Sequence, residues 1–143
     1  MLRLLSFIIV ISIISCNIQK PIDKDKDRID AVCDNVMQNF KTGKIHEAMQ
    51  LFKENSELVT TSTIDTIENQ ILDQIKSGSF SQYGKAISYE FVSERKLKSF
   101  AVKRYYALRF QKYFFKFVFS LYNGDSGWKI CGFKYDEDVS ELF

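Results

Sequence analysis

The chain has 143 residues, 45% of them apolar and 27% charged, which is ordinary globular usage and leaves room for one domain with one real core. Twenty Lys and Arg stand against 18 Asp and Glu, a net charge of +2 that excludes whole-surface attraction to nucleic acid. Three cysteines, Cys16, Cys33 and Cys131, and one histidine, His46, form neither a disulfide scaffold nor a zinc-type spacing, so no metal or other cofactor is expected.

Arg3 precedes an apolar run from Leu4 to Ile14, interrupted only by Ser6 and Ser12, with the small residue Ser15 just before Cys16. A membrane-crossing helix needs about 20 apolar residues. This run is shorter, and charge returns at Lys20, Asp23 and Lys24, so residues 1–15 read as an export signal and not as a permanent anchor. Residues 17–27, NIQKPIDKDKD, are polar, hold the only proline and show no apolar period, so 16–27 is expected to be a flexible tether.

Ile13-Ile14-Ser15-Cys16 resembles the lipobox of bacterial lipoproteins. That resemblance implies a diacylglycerol on the Cys16 thiol, cleavage before it and acylation of the new amino terminus. Each buried methylene contributes about 0.8 kcal/mol, so two or three acyl chains would hold the protein on a bilayer where one would be marginal. The implied address is the bacterial cell envelope, with the membrane as partner through the lipid on Cys16. Asn17 stands in place of the aspartate that often marks inner-membrane retention, which points to the outer membrane. A leader cleaved elsewhere, with an incidental cysteine, is the other reading.

The folded part is expected over residues 28–143. Ile29, Val32, Cys33, Val36, Met37 and Phe40 recur at steps of three and four, the mark of a helix with one buried stripe, and Gly43 suits its end. Ile45, Ala48, Met49 and Phe52 repeat the spacing in a shorter second helix. In a third, Ser62 or Thr63 serves as cap, Ile64, Ile67, Ile71 and Ile75 line the inner side, and Gly78 marks the stop.

From Tyr83 onward the period falls to two, and 17 of the 21 aromatic residues lie in these last 61 positions. Four antiparallel strands are predicted at about 85–93, 99–110, 113–122 and 128–136, the last two joined through the turn NGDSG. In the third strand Phe115, Phe117, Phe119 and Leu121 share one face. If Tyr122 pairs with Trp128, Phe119 faces Cys131 and Phe117 faces Phe133, giving an apolar sheet face for the helical stripes. The predicted class is α+β, three N-terminal helices on a curved four-stranded sheet. Tyr89, Tyr105, Phe117, Trp128 and Phe133 are the candidate core or pocket aromatics.

This element order and the ending Trp128-Lys129-Ile130-Cys131-Gly132-Phe133 are similar to the nuclear transport factor-like (SnoaL-like, cystatin-like) superfamily. The likeness implies a cone whose helices and bent sheet enclose a pocket. Enzymes of that superfamily use a pocket carboxylate as base opposite a tyrosine or second acid. No such catalytic position transfers residue by residue: Glu90 alternates with the inward Tyr89 and Phe91, and Asp136, Glu137, Asp138 and Glu141 crowd the chain's end. His46 sits off its helix's apolar stripe and lacks metal-binding neighbours.

Cys33 and Cys131 both fall on apolar faces, and export would permit oxidation, so they read either as a bonded pair or as two buried thiols, with no reactive thiol in either case. Between Arg95 and Lys116 there are eight basic residues and no acid. Lys103, Arg104 and Lys112 read as charges that protect a sheet edge; the functional alternative is contact with anionic headgroups, cell-wall polymers or an acidic partner. The leading expectation is a non-enzymatic envelope lipoprotein that binds a small apolar ligand or a partner protein. The alternatives are a hydrolase or isomerase in the cone, which would show an ionisable group on the pocket floor, and a structural or immunity-type surface protein acting by contact.

Overall fold

A computed structural model describes residues 23–143. The leader, Cys16 and the first part of the tether lie outside the described residues. Three helices, α1 (Lys24–Lys41), α2 (Ile45–Glu54) and α3 (Thr61–Lys76), precede four strands, β1 (Ala86–Leu97), β2 (Ala101–Phe110), β3 (Phe114–Gly124) and β4 (Gly127–Asp136). The strands form one antiparallel meander in the order β1-β2-β3-β4. The fold is the predicted α+β arrangement of helices on a curved sheet.

Helix α1 starts five residues before Ile29, the first residue of its apolar stripe. Asp23 caps it by accepting the Lys26 backbone N–H at 3.0 Å, and Asp25 and Asp27 in the first turn suit the helix dipole. Residues 24–27 therefore belong to the folded body and not to the tether. Asp23 also accepts a hydrogen bond from the Trp128 indole Nε1 at 2.9 Å, and Asp25 one from the Trp128 backbone N–H at 2.5 Å. These bonds tie the start of α1 to the hairpin between β3 and β4. In α3 the cap is Thr60, two or three residues before the expected Ser62 or Thr63. Its extended backbone lets Oγ1 reach the Thr63 N–H at 3.3 Å.

The β3–β4 register differs from expectation by one residue at the turn. Asp125 and Ser126 occupy the tip, Gly124 faces Gly127, and Asn123 rather than Tyr122 faces Trp128. Gly127 takes φ +82°, and a Cβ there would collide with the Asp25 carboxylate. A bulge then absorbs Cys131: Leu121 faces Ile130 while Ser120 faces Gly132. From there Phe119 faces Phe133 and Phe117 faces Tyr135. The extra residue turns Cys131 away from the core while keeping Ile130 and Phe133 on it. Cys33 and Cys131 are both free thiols, so the bonded alternative fails for that geometric reason. Two further bulges bend β1 and carry it to Leu97, past the expected end at Ser93.

The core lies between the inner sheet face and the helical stripes, with Ile29, Cys33, Val36, Met37, Ala48, Met49, Phe52, Tyr106, Phe119 and Ile130 all buried. Burying each large apolar side chain contributes about 1.5–3 kcal/mol. Phe133 ties the layers together, with ring centroids 5.8 Å from Phe40, 5.5 Å from Phe52 and 5.3 Å from Phe119.

The outer face is partly covered by the chain's end. Glu141 accepts from Lys116 at 3.0 Å, its carbonyl accepts from Arg95 at 3.0 Å, and Glu137 accepts from Tyr83 at 2.6 Å. Lys116, only 1% exposed, lies between Glu141 and Asp136. Tyr105 is buried on this outer face beneath the Arg95 guanidinium, 5.2 Å away, while its neighbour Tyr106 takes the core side. Among the described residues no helix is long and apolar enough to cross a membrane.

Candidate functional site: an apolar cavity at the open end of the cone

The cavity arises where the helices part from the sheet. Helix α1 delivers Phe40 at the end of its buried stripe, and the chain turns at Gly43, φ +74°. Helix α3 packs on α2, and its Ile71 and Ile75 line the cavity together with residues of the sheet. The chain between α3 and β1 tucks Phe80 into this cavity, where it stacks at 6.2 Å on Phe110 and meets Phe115 at 5.4 Å. Leu108, Phe110, Phe115, Phe117 and Tyr135 supply the sheet side. The space between them, open at its mouth, is about 400 Å³, within the range of small-molecule sites.

Polar groups are few and mostly engaged. The Tyr135 hydroxyl donates to Gln74 at 3.2 Å, and burial raises its pKa, keeping it a neutral phenol. The Thr42 hydroxyl donates to the carbonyls of Gln38 and Asn39. Lys41 and Lys85 complete the lining. No Asp, Glu, His, Cys or Ser lines the cavity among the described residues. Such a site can strip water from an apolar molecule and place two ammonium groups beside it.

Of the aromatics named from sequence, Phe117 lines the cavity, while Trp128 and Phe133 sit in the core beyond it. Tyr89 is half-buried against Tyr106 at 6.5 Å, and Tyr105 is on the opposite side of the sheet. Sequence reasoning passed over Phe80 and Phe110. The signal for Phe80 was its place between Gly78 and Gly84, both at positive φ, in a segment with no period of its own.

A second cluster joins α1 to β1 and β2. Arg104, 8% exposed, contacts Asp30 at 2.8 Å and Glu94 at 3.0 Å, donates to the Tyr106 hydroxyl at 3.1 Å, and lies 4.4 Å over the Phe91 ring. Lys26 bridges Asp30 at 2.5 Å and Glu94 at 2.8 Å, and Tyr106 donates to Asp34 at 2.5 Å. Burial works to raise the Glu94 pKa, but Lys26 and Arg104 outweigh it and hold the carboxyl low. For Asp30 burial prevails and the pKa rises. Burial also pushes the Tyr106 phenol far up. Arg104 is thus no exposed edge charge: β2 is an interior strand, and alternation turns this residue toward α1. The members satisfy one another and none lines the cavity.

The remaining candidates resolve similarly. His46 is 74% exposed at its side chain and sits 2.8 Å from Glu68. Burial pushes the Cys33 thiol up to about 12 and also raises Cys131, whose Sγ points to the Ser120 carbonyl at 3.3 Å. The acid-free basic run finds its acids elsewhere in the fold: Lys116 meets Asp136 and Glu141, Lys96 meets Glu94, and Arg109 meets Glu90. Among the described residues no His, Cys, Asp and Glu cluster could hold a metal ion.

No protein-family model matches this chain, and no curated protein matches it. One solved structure does resemble it: a domain of unknown function with a cystatin-like fold from Nostoc punctiforme PCC 73102. The two superpose with a TM-score of 0.55 at 14% sequence identity, over 82% of this chain and 80% of that one. The chain accordingly has a cystatin-like fold, the architecture its element order predicted.

Proposed function

We propose that this domain is the binding head of a lipid-anchored envelope lipoprotein and that it holds a small apolar molecule without chemically altering it. The observation that carries the binding role is the cavity of about 400 Å³ walled by Phe40, Ile71, Phe80, Leu108, Phe110, Phe115 and Phe117. A general acid or base must reach its substrate within hydrogen-bond distance, and the only ionisable side chains in this lining are Lys41, Lys85 and the engaged phenol Tyr135. Anchoring rests on the short apolar leader and the Ile13-Ile14-Ser15-Cys16 pattern.

The intact mass of protein purified natively from membranes tests both parts. The expected species is acylated 16–143 carrying a hydrophobic adduct, and Cys16→Ser should release the protein from the membrane fraction. An unmodified full-length chain would reject the anchor. Failure of any apolar probe, such as N-phenyl-1-naphthylamine, to enter the folded protein would reject the binding role.

A further inference from the structure

We infer that the cavity takes a single-chain amphiphile with an anionic head, its tail among the aromatic walls and its head between Lys41 and Lys85. This inference rests on the binding role proposed above and adds the ligand's chemical class. A purely apolar ligand would need only the walls. The lining instead adds two lysines and no acid. Lys41 is half-buried in the last turn of α1, and Lys85 is exposed just before β1. Neither takes part in an ion pair among the described residues, so both ammonium groups are open to a ligand.

Nearby groups do not cancel that charge. The carbonyls of Gln38, Asn39 and Phe40 at the end of α1 already accept backbone N–H bonds from Thr42, Lys44 and Gly43, so the helix end offers few open acceptors. Asp136 and Glu137 line an adjacent cleft, where Asp136 lies between Lys116 and Lys134, and Glu137 accepts from Tyr83. A charged head desolvated at this mouth is therefore favoured only if it is negative. At about 30 Å³ for each water-sized group, the volume admits a tail of roughly a dozen carbons.

The mouth also lies far from the chain's entry. Helix α1 has 18 residues, a length of about 27 Å, with Asp23 at one end and Lys41 at the other. A tethered domain would thus exchange its ligand at the end away from its attachment.

The test uses residues 16–143 with Cys16→Ser, which keeps the whole described fold and needs no detergent that could occupy the cavity. Displacement of bound N-phenyl-1-naphthylamine is titrated with dodecanoate, dodecyl phosphate, dodecanol and dodecyltrimethylammonium. Dodecanoate or dodecyl phosphate should compete at least about tenfold better than the cationic amphiphile, with dodecanol between. Whichever anion is the better competitor identifies the head as carboxylate or phosphate. Lys41→Gln with Lys85→Gln should weaken the anions about three- to tenfold and leave dodecanol unchanged; both lysines are outside the core, and circular dichroism checks the fold. Equal competition by anion and cation, or no loss in the double variant, overturns the inference while leaving the cavity in use. If the probe never binds, the binding role itself fails.

Discussion

Replacing Arg104 by methionine tests whether the buried ionic cluster fixes α1 on the sheet. Methionine keeps an unbranched apolar stem of similar reach but removes the bonds to Asp30 at 2.8 Å, Glu94 at 3.0 Å and the Tyr106 hydroxyl at 3.1 Å. Lys26 would then be left as the shared cation of Asp30 and Glu94, with Lys96 3.6 Å from Glu94. Removing one partner of a buried pair costs about 3–5 kcal/mol. Here the Asp30 and Glu94 side chains are 24% and 17% exposed and Lys26 stays, so the low end applies, about 3 kcal/mol. In a domain of about 120 residues that lowers Tm by roughly 12 °C. Urea unfolding followed by Trp128 fluorescence measures it directly. Adding Glu94→Gln should recover at least half of the loss by removing the carboxylate left in excess over the remaining cations. A loss below about 1 kcal/mol, or no recovery in the double variant, would refute the reasoning.

Stability should fall on acidification. Hydrogen bonds from the Trp128 indole and backbone hold Asp23 and Asp25 low, Lys116 holds Glu141 low, and lysine or arginine partners outweigh burial at Glu94 and Asp136. Their stabilisation is complete above the unfolded carboxylate range, about pH 5, and is lost as pH drops through the lower folded values. Asp30, raised by burial, works in the opposite direction, and one group cannot offset five. Equal urea midpoints at pH 7 and pH 4 would contradict this. In the Cys16→Ser chain, Cys33 should label with maleimide at pH 8 only after unfolding and Cys131 slowly before it. Rapid native labelling of both, or a bridge lost on reduction, would count against the bulge. Asp23→Ala removes a helix cap and the indole's acceptor, so it should lower the urea midpoint; an unchanged midpoint would place the start of the fold later than Asp23.

The helical stripes were readable because period and burial agree: Ile29, Cys33, Val36, Met37 and Phe40 all enter the core. The start of α1 was hidden because Asp23 is one acid in a polar run, and the partner that gives it meaning, Trp128, is 105 positions away. The hairpin was legible as a turn, but the register depends on whether a residue is absorbed downstream, and nothing local to Cys131 announces a bulge. Arg104 was misplaced for a related reason. Alternation put a charge on one face or the other, and only the helix could decide which. Lys26, Asp30 and Asp34, four residues apart, form a charged stripe beside the apolar one, and that spacing was the available signal.

The distribution of polarity along α1 explains why one end of the cone is tight and the other open. At its start the helix is held by directional bonds to the β3–β4 hairpin, and through its first half by Arg104 and Lys26, groups whose burial is tolerable only in one register. At its end it offers Phe40 to a surface that α3 does not close. Apolar walls tolerate sliding and incomplete filling in a way that a paired guanidinium does not. The fold therefore places its geometric precision at the chain's entry and leaves its unfilled volume at the far end, where a ligand completes the core by occupying it. On that view the aromatic richness of the last two strands serves two purposes at once: Phe119 and Phe133 finish the interior, while Phe115 and Phe117 extend the same face into space that the protein itself does not fill.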